Sequence, residues 1–182
     1  MNQLIDKQMY ILIYILVSLA ILILLLSLIA PKTYDVSRSI EILKPKDEVF
    51  TYLRSLKRMD EWSPWAKKDP NMEQKFTGVD GEVGSQSYWN GNKEVGEGEQ
   101  EIKNIIDGER IESELRFLKP FKSTSDCYLN LENSDSGGTK VTWGFSGKNK
   151  FPMNIMCLFK SMDSMVGPDF EQGMASLKKK ME

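Results

Sequence analysis

The sequence predicts an α+β protein: an antiparallel meander of about six to seven strands backed by a long C-terminal helix, with one transmembrane helix ahead of them. Three observations predict it. Met9 to Ala30 reads "MYILIYILVSLAILILLLSLIA" without a charge or a proline. From Glu73 to Gly147, apolar and polar residues alternate between compact turn signals, the period of a strand with one wet face. From Pro152 to Glu182, apolar residues return at steps of three and four, the period of a helix lying on a core.

The first element follows from length. At ~1.5 Å per residue, Met9–Ala30 spans about 33 Å, enough to cross the hydrocarbon of a bilayer. The apolar run exceeds the ~7–15 residues of a signal peptide and ends "LIAPK" rather than in an Ala-x-Ala-like site, so a retained anchor is expected. Tyr10 and Tyr14 are placed as interfacial aromatics, and Pro31 stops the helix with Lys32 just outside. The expected organisation is a short tail at 1–8, a transmembrane helix at 9–30, a linker at 31–33 and one domain at 34–182. The linker reaches roughly 10 Å even when extended, which holds the domain at the lipid surface. Lys7 on one side stands against Lys32, Arg38, Lys44 and Lys46 on the other, a count that favours a cytoplasmic domain. A folded domain translocates regardless of its charges, which limits the weight of that count.

The domain opens on "YDVSRSIEIL" (Tyr34–Leu43), β-branched and alternating, a strand that ends at Lys44-Pro45. Pro45 suits the first turn of a helix, Asp47 and Glu48 suit its positive end, and Val49, Phe50, Leu53 and Leu56 have amphipathic spacing. A second helical turn carries Met59 into "DEWSPWAKKDP" (Asp60–Pro70), which reads as a surface loop apart from its two tryptophans. "EQKFTG", "GSQSYWN", "GEGEQEIKNII", "RIESELRF", "KSTSDCYLNLE" and "TKVTWGFSG" then read as strands. Asn90-Gly91 and Asp107-Gly108 read as two-residue hairpin turns, and Gly137-Gly138 turns the chain before the last strand. In the C-terminal segment Ile155, Phe159, Met162, Val166, Phe170, Met174, Leu177 and Met181 form one stripe, with a kink or restart expected at Gly167-Pro168. Lys178-Lys179-Lys180 complements the negative end of that helix.

Composition removes whole classes of function. The chain contains no histidine, which excludes Ser-His-Asp and Cys-His nucleophile systems, histidine metal sites and imidazole proton shuttles. A net charge of −2 lacks the basic footprint of a nucleic-acid binder. Cys127 and Cys157 have neither metal-knuckle nor redox-motif spacing and read as buried thiols. No metal site and no cofactor are expected. "GEGE" (Gly96–Glu99) lacks the Lys-Ser/Thr of a phosphate loop and sits within a strand pattern.

The sequence resembles membrane-anchored bacterial members of the polyketide cyclase/START-like superfamily, which have the helix-grip fold. The resemblance is carried by "SIEILKPKDEVFTYL" (Ser39–Leu53), "WSPW" (Trp62–Trp65), "WNGNKEVGEGEQEI" (Trp89–Ile102), "KPFKSTSD" (Lys119–Asp126), "GGTKVTWGFSG" (Gly137–Gly147) and "DFEQGMASLK" (Asp169–Lys178). It covers roughly residues 34 to 180. It implies a curved sheet gripping the last helix around an apolar cavity for lipids, sterols, polyketides or other hydrophobic ligands, and it carries over no catalytic residue.

Candidate lining residues are Trp62, Trp65, Tyr88, Trp89 and Ile102 in the first half of the domain. Leu115, Phe117, Cys127, Leu129, Trp143 and Phe145 follow on the later strands, and Phe159, Met162, Met165 and Phe170 on the C-terminal segment. Trp62 and Trp65 either line the mouth of a cavity or form a hydrophobic latch over the open end of the sheet. The methionines suit an adaptable ligand wall or simple gap filling. Glu97, Glu99 and Glu101 share one strand face with Lys103. Crowded carboxylates can raise one another's pKa, but a charged row of this kind reads as the solvated side of a sheet. Asp60 and Glu61, beside Trp62, are the next acid–base candidates and read rather as surface charges at a helix end. The leading expectation is a single-pass membrane protein that binds a hydrophobic small molecule or lipid near the bilayer. The alternatives are a cyclase- or dehydrase-like enzyme using carboxylates or Tyr88, and a protein-interaction module with a filled interior.

Overall fold

The structure is a computed structural model that describes the backbone of residues 2–182 and the side chains of residues 7–182. The elements in order are α1 (Asn2–Ile29), β1 (Thr33–Ile42), α2 (Lys46–Leu53), a 3-10 turn (Arg58–Glu61), α3 (Pro64–Lys68), β2 (Glu73–Thr77), β3 (Gln86–Asn90), β4 (Glu97–Ile106), β5 (Arg110–Lys119), β6 (Ser123–Asn133), β7 (Thr139–Lys148), α4 (Met153–Met156) and α5 (Met162–Met181). The chain forms two compact units. One is the N-terminal segment through Thr33 together with Asn149–Ser161; the other is Tyr34–Lys148 with Met162–Glu182.

The larger unit is one seven-stranded sheet in the order β1-β7-β6-β5-β4-β3-β2. β2 to β7 pair antiparallel with their chain neighbours, as expected of strands joined by short turns. β1 lies beside β7, so the first two strands occupy opposite edges and the segment carrying α2, the 3-10 turn and α3 connects them. One face of the sheet supplies Val36, Ile42, Ile102, Ile111, Leu129, Leu131, Val141 and Trp143, all buried, and α5 supplies Phe170, Met174 and Leu177. The α2 helix adds Val49, Phe50, Tyr52 and Leu53 to the same cluster. Phe170 stacks on Trp143 with ring centroids 4.2 Å apart.

Two turn expectations are corrected. Asn90-Gly91 is not a two-residue hairpin, because all of Gly91–Gly96 lies between β3 and β4. The Asn92 side chain accepts the N–H groups of Glu94 (2.9 Å) and Val95 (3.2 Å), and the Gly91 N–H reaches the Gly96 carbonyl at 2.8 Å. Side-chain acceptors thus support a longer loop than the dipeptide alone suggests. Asp107-Gly108 does turn the chain, with Glu109 added to the loop, and Gly108 takes the positive φ of 70° that favours glycine.

The C-terminal segment is also corrected. Helix α4 ends at Met156, α5 begins at Met162, and α5 runs through Gly167-Pro168 without a break. The interruption therefore falls before the expected position, and Ile155 and Phe159 do not belong to the α5 stripe. In the smaller unit, α1 contains Lys7–Ile29, a stretch long and apolar enough to cross a membrane by length and composition. Asn149 and Asn154 hydrogen-bond to carbonyls at and beyond the end of α1.

Candidate ligand cavity

The larger unit encloses a partly open cavity of about 190 Å³. Its floor is the inward face of the sheet, where strand parity selects the side chains. On β4 the alternate residues Gly98, Gln100 and Ile102 are buried and Glu97, Glu99 and Glu101 only half so. Gln100 pairs with Ser87 on β3 and Leu115 on β5, and all three line the cavity. One row further, Trp89 stands opposite Gly98. A Cβ at Gly98 would lie 2.5 Å from the Trp89 ring and 2.6 Å from the Arg116 carbonyl, so only glycine leaves the indole its place across β4. Phe117 meets Trp89 edge-on at 6.2 Å. Cys127, Trp143 and Phe145 continue the wall across β6 and β7, and Val166 and Phe170 close it from α5.

The remaining wall comes from the segment between α2 and β2, which side-chain acceptors hold in place. Asp80 accepts the Leu56 N–H at 2.9 Å and the Ser55 hydroxyl at 2.5 Å, and Ser55 in turn accepts the Arg58 N–H that opens the 3-10 turn. That turn delivers Met59 and Asp60 to the cavity, and α3 delivers Trp65. Lys68 at the end of α3 pairs with Asp169 of α5 at 2.7 Å. Asp69 accepts the Asn92 N–H at 2.7 Å, which ties α3 to the Gly91–Gly96 loop that brings Val95 to the rim.

The wall is mainly apolar, with few polar groups: Asp60, Ser63, Gln74, Ser87 and Gln100. Burial pushes the Asp60 carboxyl above its ordinary range, partly offset by a hydrogen bond from Gln74. The Trp143 indole N–H is buried, and it interacts with the Cys127 sulfur on the neighbouring strand. Burial pushes the Cys127 thiol up to about 11, so it stays protonated and unreactive at neutral pH. Among the described residues, no group of three or more acidic or cysteine side chains is arranged to hold a metal.

No family model matches the chain, and no curated protein matches it. Solved structures do. A protein from Nitrosospira multiformis aligns over 82% of this chain and 97% of its own at 17% identity and a TM-score of 0.57. The major latex-like protein 151 of Panax ginseng aligns over 84% and 99% at 13% identity and a TM-score of 0.56. Ara h 8.0201 aligns over 81% and 99% at 13% identity and a TM-score of 0.52. The chain has the helix-grip fold.

The fifteen expected lining residues separate into groups, fourteen of them within the helix-grip unit. Trp65, Trp89, Leu115, Phe117, Cys127, Trp143, Phe145 and Phe170 border the cavity. Trp62, Ile102 and Leu129 do not, because each is sunk in the solid part of the core, Trp62 at 1% exposure. Tyr88 faces the other side of β3, where its hydroxyl donates to Glu97 at 2.9 Å; period-two alternation cannot place it and Trp89 on the same face. Met162 and Met165 lie half-buried in the first turns of α5, off the cavity wall. Phe159 belongs to the smaller unit and is 82% exposed.

The acidic row takes the solvated place read for it. Arg116 donates to Glu99 at 2.5 Å and Glu101 at 3.0 Å and also to Glu114, while Lys103 pairs with Glu101. Hydrogen bonds from Lys103 and Arg116 hold the Glu101 carboxyl below its usual range, and those from Lys119 and Tyr88 do the same for Glu97. Mutual elevation is overridden by these cations. Asp60 is the functional candidate that sequence reading placed on the surface. The available signal was a carboxylate two residues before a tryptophan in a short turn, which does not reveal direction.

Proposed function

We propose that this protein is a membrane-tethered binder of a hydrophobic small molecule or lipid, held in the cavity of its helix-grip unit beside the bilayer. The observation that carries the reading is the apolar cavity between sheet, α5 and the Leu56–Trp65 segment. A wall of this composition needs no catalytic group to favour an apolar guest. Its volume of about 190 Å³ is just above the ~150 Å³ that accommodates benzene and below the ~300 Å³ where drug-sized sites begin. The guest it fits is a single ring or a short stretch of alkyl chain. Six buried carbons contribute roughly 5 kcal/mol, of the order of the cost of association. The polar groups Asp60, Gln74 and Gln100 therefore decide affinity, and they favour a guest with one polar end.

The tether is Lys7–Ile29. Lys32, Lys150 and Lys160 follow or flank it against Lys7 on the other side, which supports a cytoplasmic position for the helix-grip unit. The test uses the full chain in phosphatidylcholine nanodiscs, examined by native mass spectrometry for a retained guest and titrated with monocyclic phenols. Saturable binding, or a retained small molecule, that disappears in Leu115→Trp is expected. Neither a guest nor saturable binding in the unsubstituted chain overturns the reading.

One observation favours a second reading, an acid–base enzyme acting on an apolar substrate: Asp60 is an ionisable side chain at the cavity with an elevated pKa. Under that reading Asp60→Asn abolishes turnover of a bound substrate while leaving its affinity within a few-fold.

A further inference from the structure

The segment Asn149–Ser161 between β7 and α5 forms one compact unit with α1. The last carbonyls of a helix lack intrahelical partners, and this segment supplies donors to them and to the residues just beyond. The Asn154 amide donates to the Ser27 carbonyl at 3.4 Å, the Asn149 amide to the Pro31 carbonyl at 3.2 Å, and the Asn149 backbone N–H to the Lys32 carbonyl at 2.9 Å. Cys157 in turn donates to Asn149 Oδ1 at 3.6 Å. Polar side chains thus face inward toward the helix end, and large apolar ones face out: Phe151 is 64% exposed, Met156 54% and Phe159 82%. Met156 and Phe159 share one side of a turn, since the Phe159 N–H bonds the Met156 carbonyl at 3.0 Å. Scattered single apolar side chains are ordinary on a surface, whereas three in nine residues on a segment fastened to an apolar helix need a partner. Lys150 and Lys160 are exposed at the flanks of the cluster.

We infer that Phe151–Phe159 is a second membrane-contacting element, a wedge lying in the interface of the bilayer with its aromatic and methionine side chains among the upper acyl chains and Lys150 and Lys160 at the phosphates. The depth follows from the hydrogen bonds. Ser27 and Pro31 bracket the end of the apolar stretch, so a segment bonded to both lies where that stretch leaves the hydrocarbon. Lysines near an anionic surface add to the attraction. The inference rests on reading α1 as a membrane span.

The test is acyl-chain photolabelling of the full chain reconstituted in phosphatidylcholine vesicles carrying a diazirine-tailed phosphatidylcholine, with labelled peptides mapped by mass spectrometry. Label is expected in both Met9–Ile29 and Phe151–Phe159. Replacing Met156 and Phe159 together by Asp, both exposed, is expected to lower label in the second segment several-fold with α1 label unchanged. Label in α1 alone overturns the wedge and leaves the anchor standing. Label in neither overturns the membrane reading and the wedge with it.

Discussion

Gly167 of α5 leaves its space to Arg38 of β1: a Cβ built on the glycine would lie 2.3 Å from a guanidinium nitrogen. The same guanidinium bonds Asp163 at 2.7 Å and Glu171 at 2.8 Å, four residues to either side of the glycine along α5. First strand and last helix are thus joined by one cation seated over a bare stretch of helix. Alanine in a helix is worth ~1 kcal/mol over glycine, yet here it evicts Arg38. Gly167→Ala is expected to be neutral or destabilising by up to about 1 kcal/mol in the unsubstituted protein and stabilising by ~0.5–1 kcal/mol in an Arg38→Ala background. A double-mutant cycle by chemical denaturation reads the coupling, and additive effects would contradict it.

The two tryptophans of "WSPW" are expected to fail differently. Trp62 meets Trp143 edge-on at 4.8 Å and is 1% exposed, so Trp62→Ala leaves a core void and costs ~3–5 kcal/mol. Trp65 is partly exposed and borders the cavity, so Trp65→Ala costs about 1–2 kcal/mol and weakens phenol binding more than tenfold. Equal loss of melting temperature in the two variants would deny the distinction.

Asp60 sets a pH dependence whose sign is worked out from its environment. Burial raises its carboxyl in the folded state above the ordinary 3.8, so the unfolded chain ionises it more readily. It therefore destabilises the fold at neutral pH, and that cost fades as pH falls through the folded value toward 3.8. Asp60→Asn, nearly isosteric, is expected to melt higher than the unsubstituted chain at pH 7 and at the same temperature near pH 3.5, below the ordinary value. A difference that grows on acidification would place the carboxyl in a favourable ionised setting instead.

The Cys127 thiol, pushed up to about 11, is ~0.1% thiolate at pH 8. Iodoacetamide at that pH is expected to leave Cys127 unmodified in the folded chain and to alkylate it fully in 6 M guanidinium chloride. Labelling at comparable rates in both would mean that the cavity wall opens readily.

The sheet was readable because its strands have one wet face: in "RIESELRF" the alternation names β5 and its buried side together. Where both neighbours are aromatic the pattern is silent. Tyr88 and Trp89 satisfy either parity, and it is the Trp89 indole that takes the space Gly98 leaves without a side chain. Distinguishing cavity wall from solid core is harder still, since Ile102 and Leu115 belong to the same chemical class and differ only in whether something packs above them. The Gly167-Pro168 pair misled for a related reason. Glycine was read for its backbone, while its role is to give way to a side chain from a strand far away in sequence. That Asp60 reaches the cavity was hidden because a carboxylate in a short turn carries no periodic signature.

The placement of β1 at the edge beside β7 has a bearing on synthesis. Translation delivers this strand first after the hydrophobic helix, yet its hydrogen-bonding neighbour emerges only about a hundred residues later. Throughout that interval a β-rich edge waits unpaired while the hairpins of the meander can zip locally as they leave the ribosome. Closure of the sheet is therefore a late, non-local event, and the nascent chain presents a sticky ribbon to its surroundings until the final strand arrives.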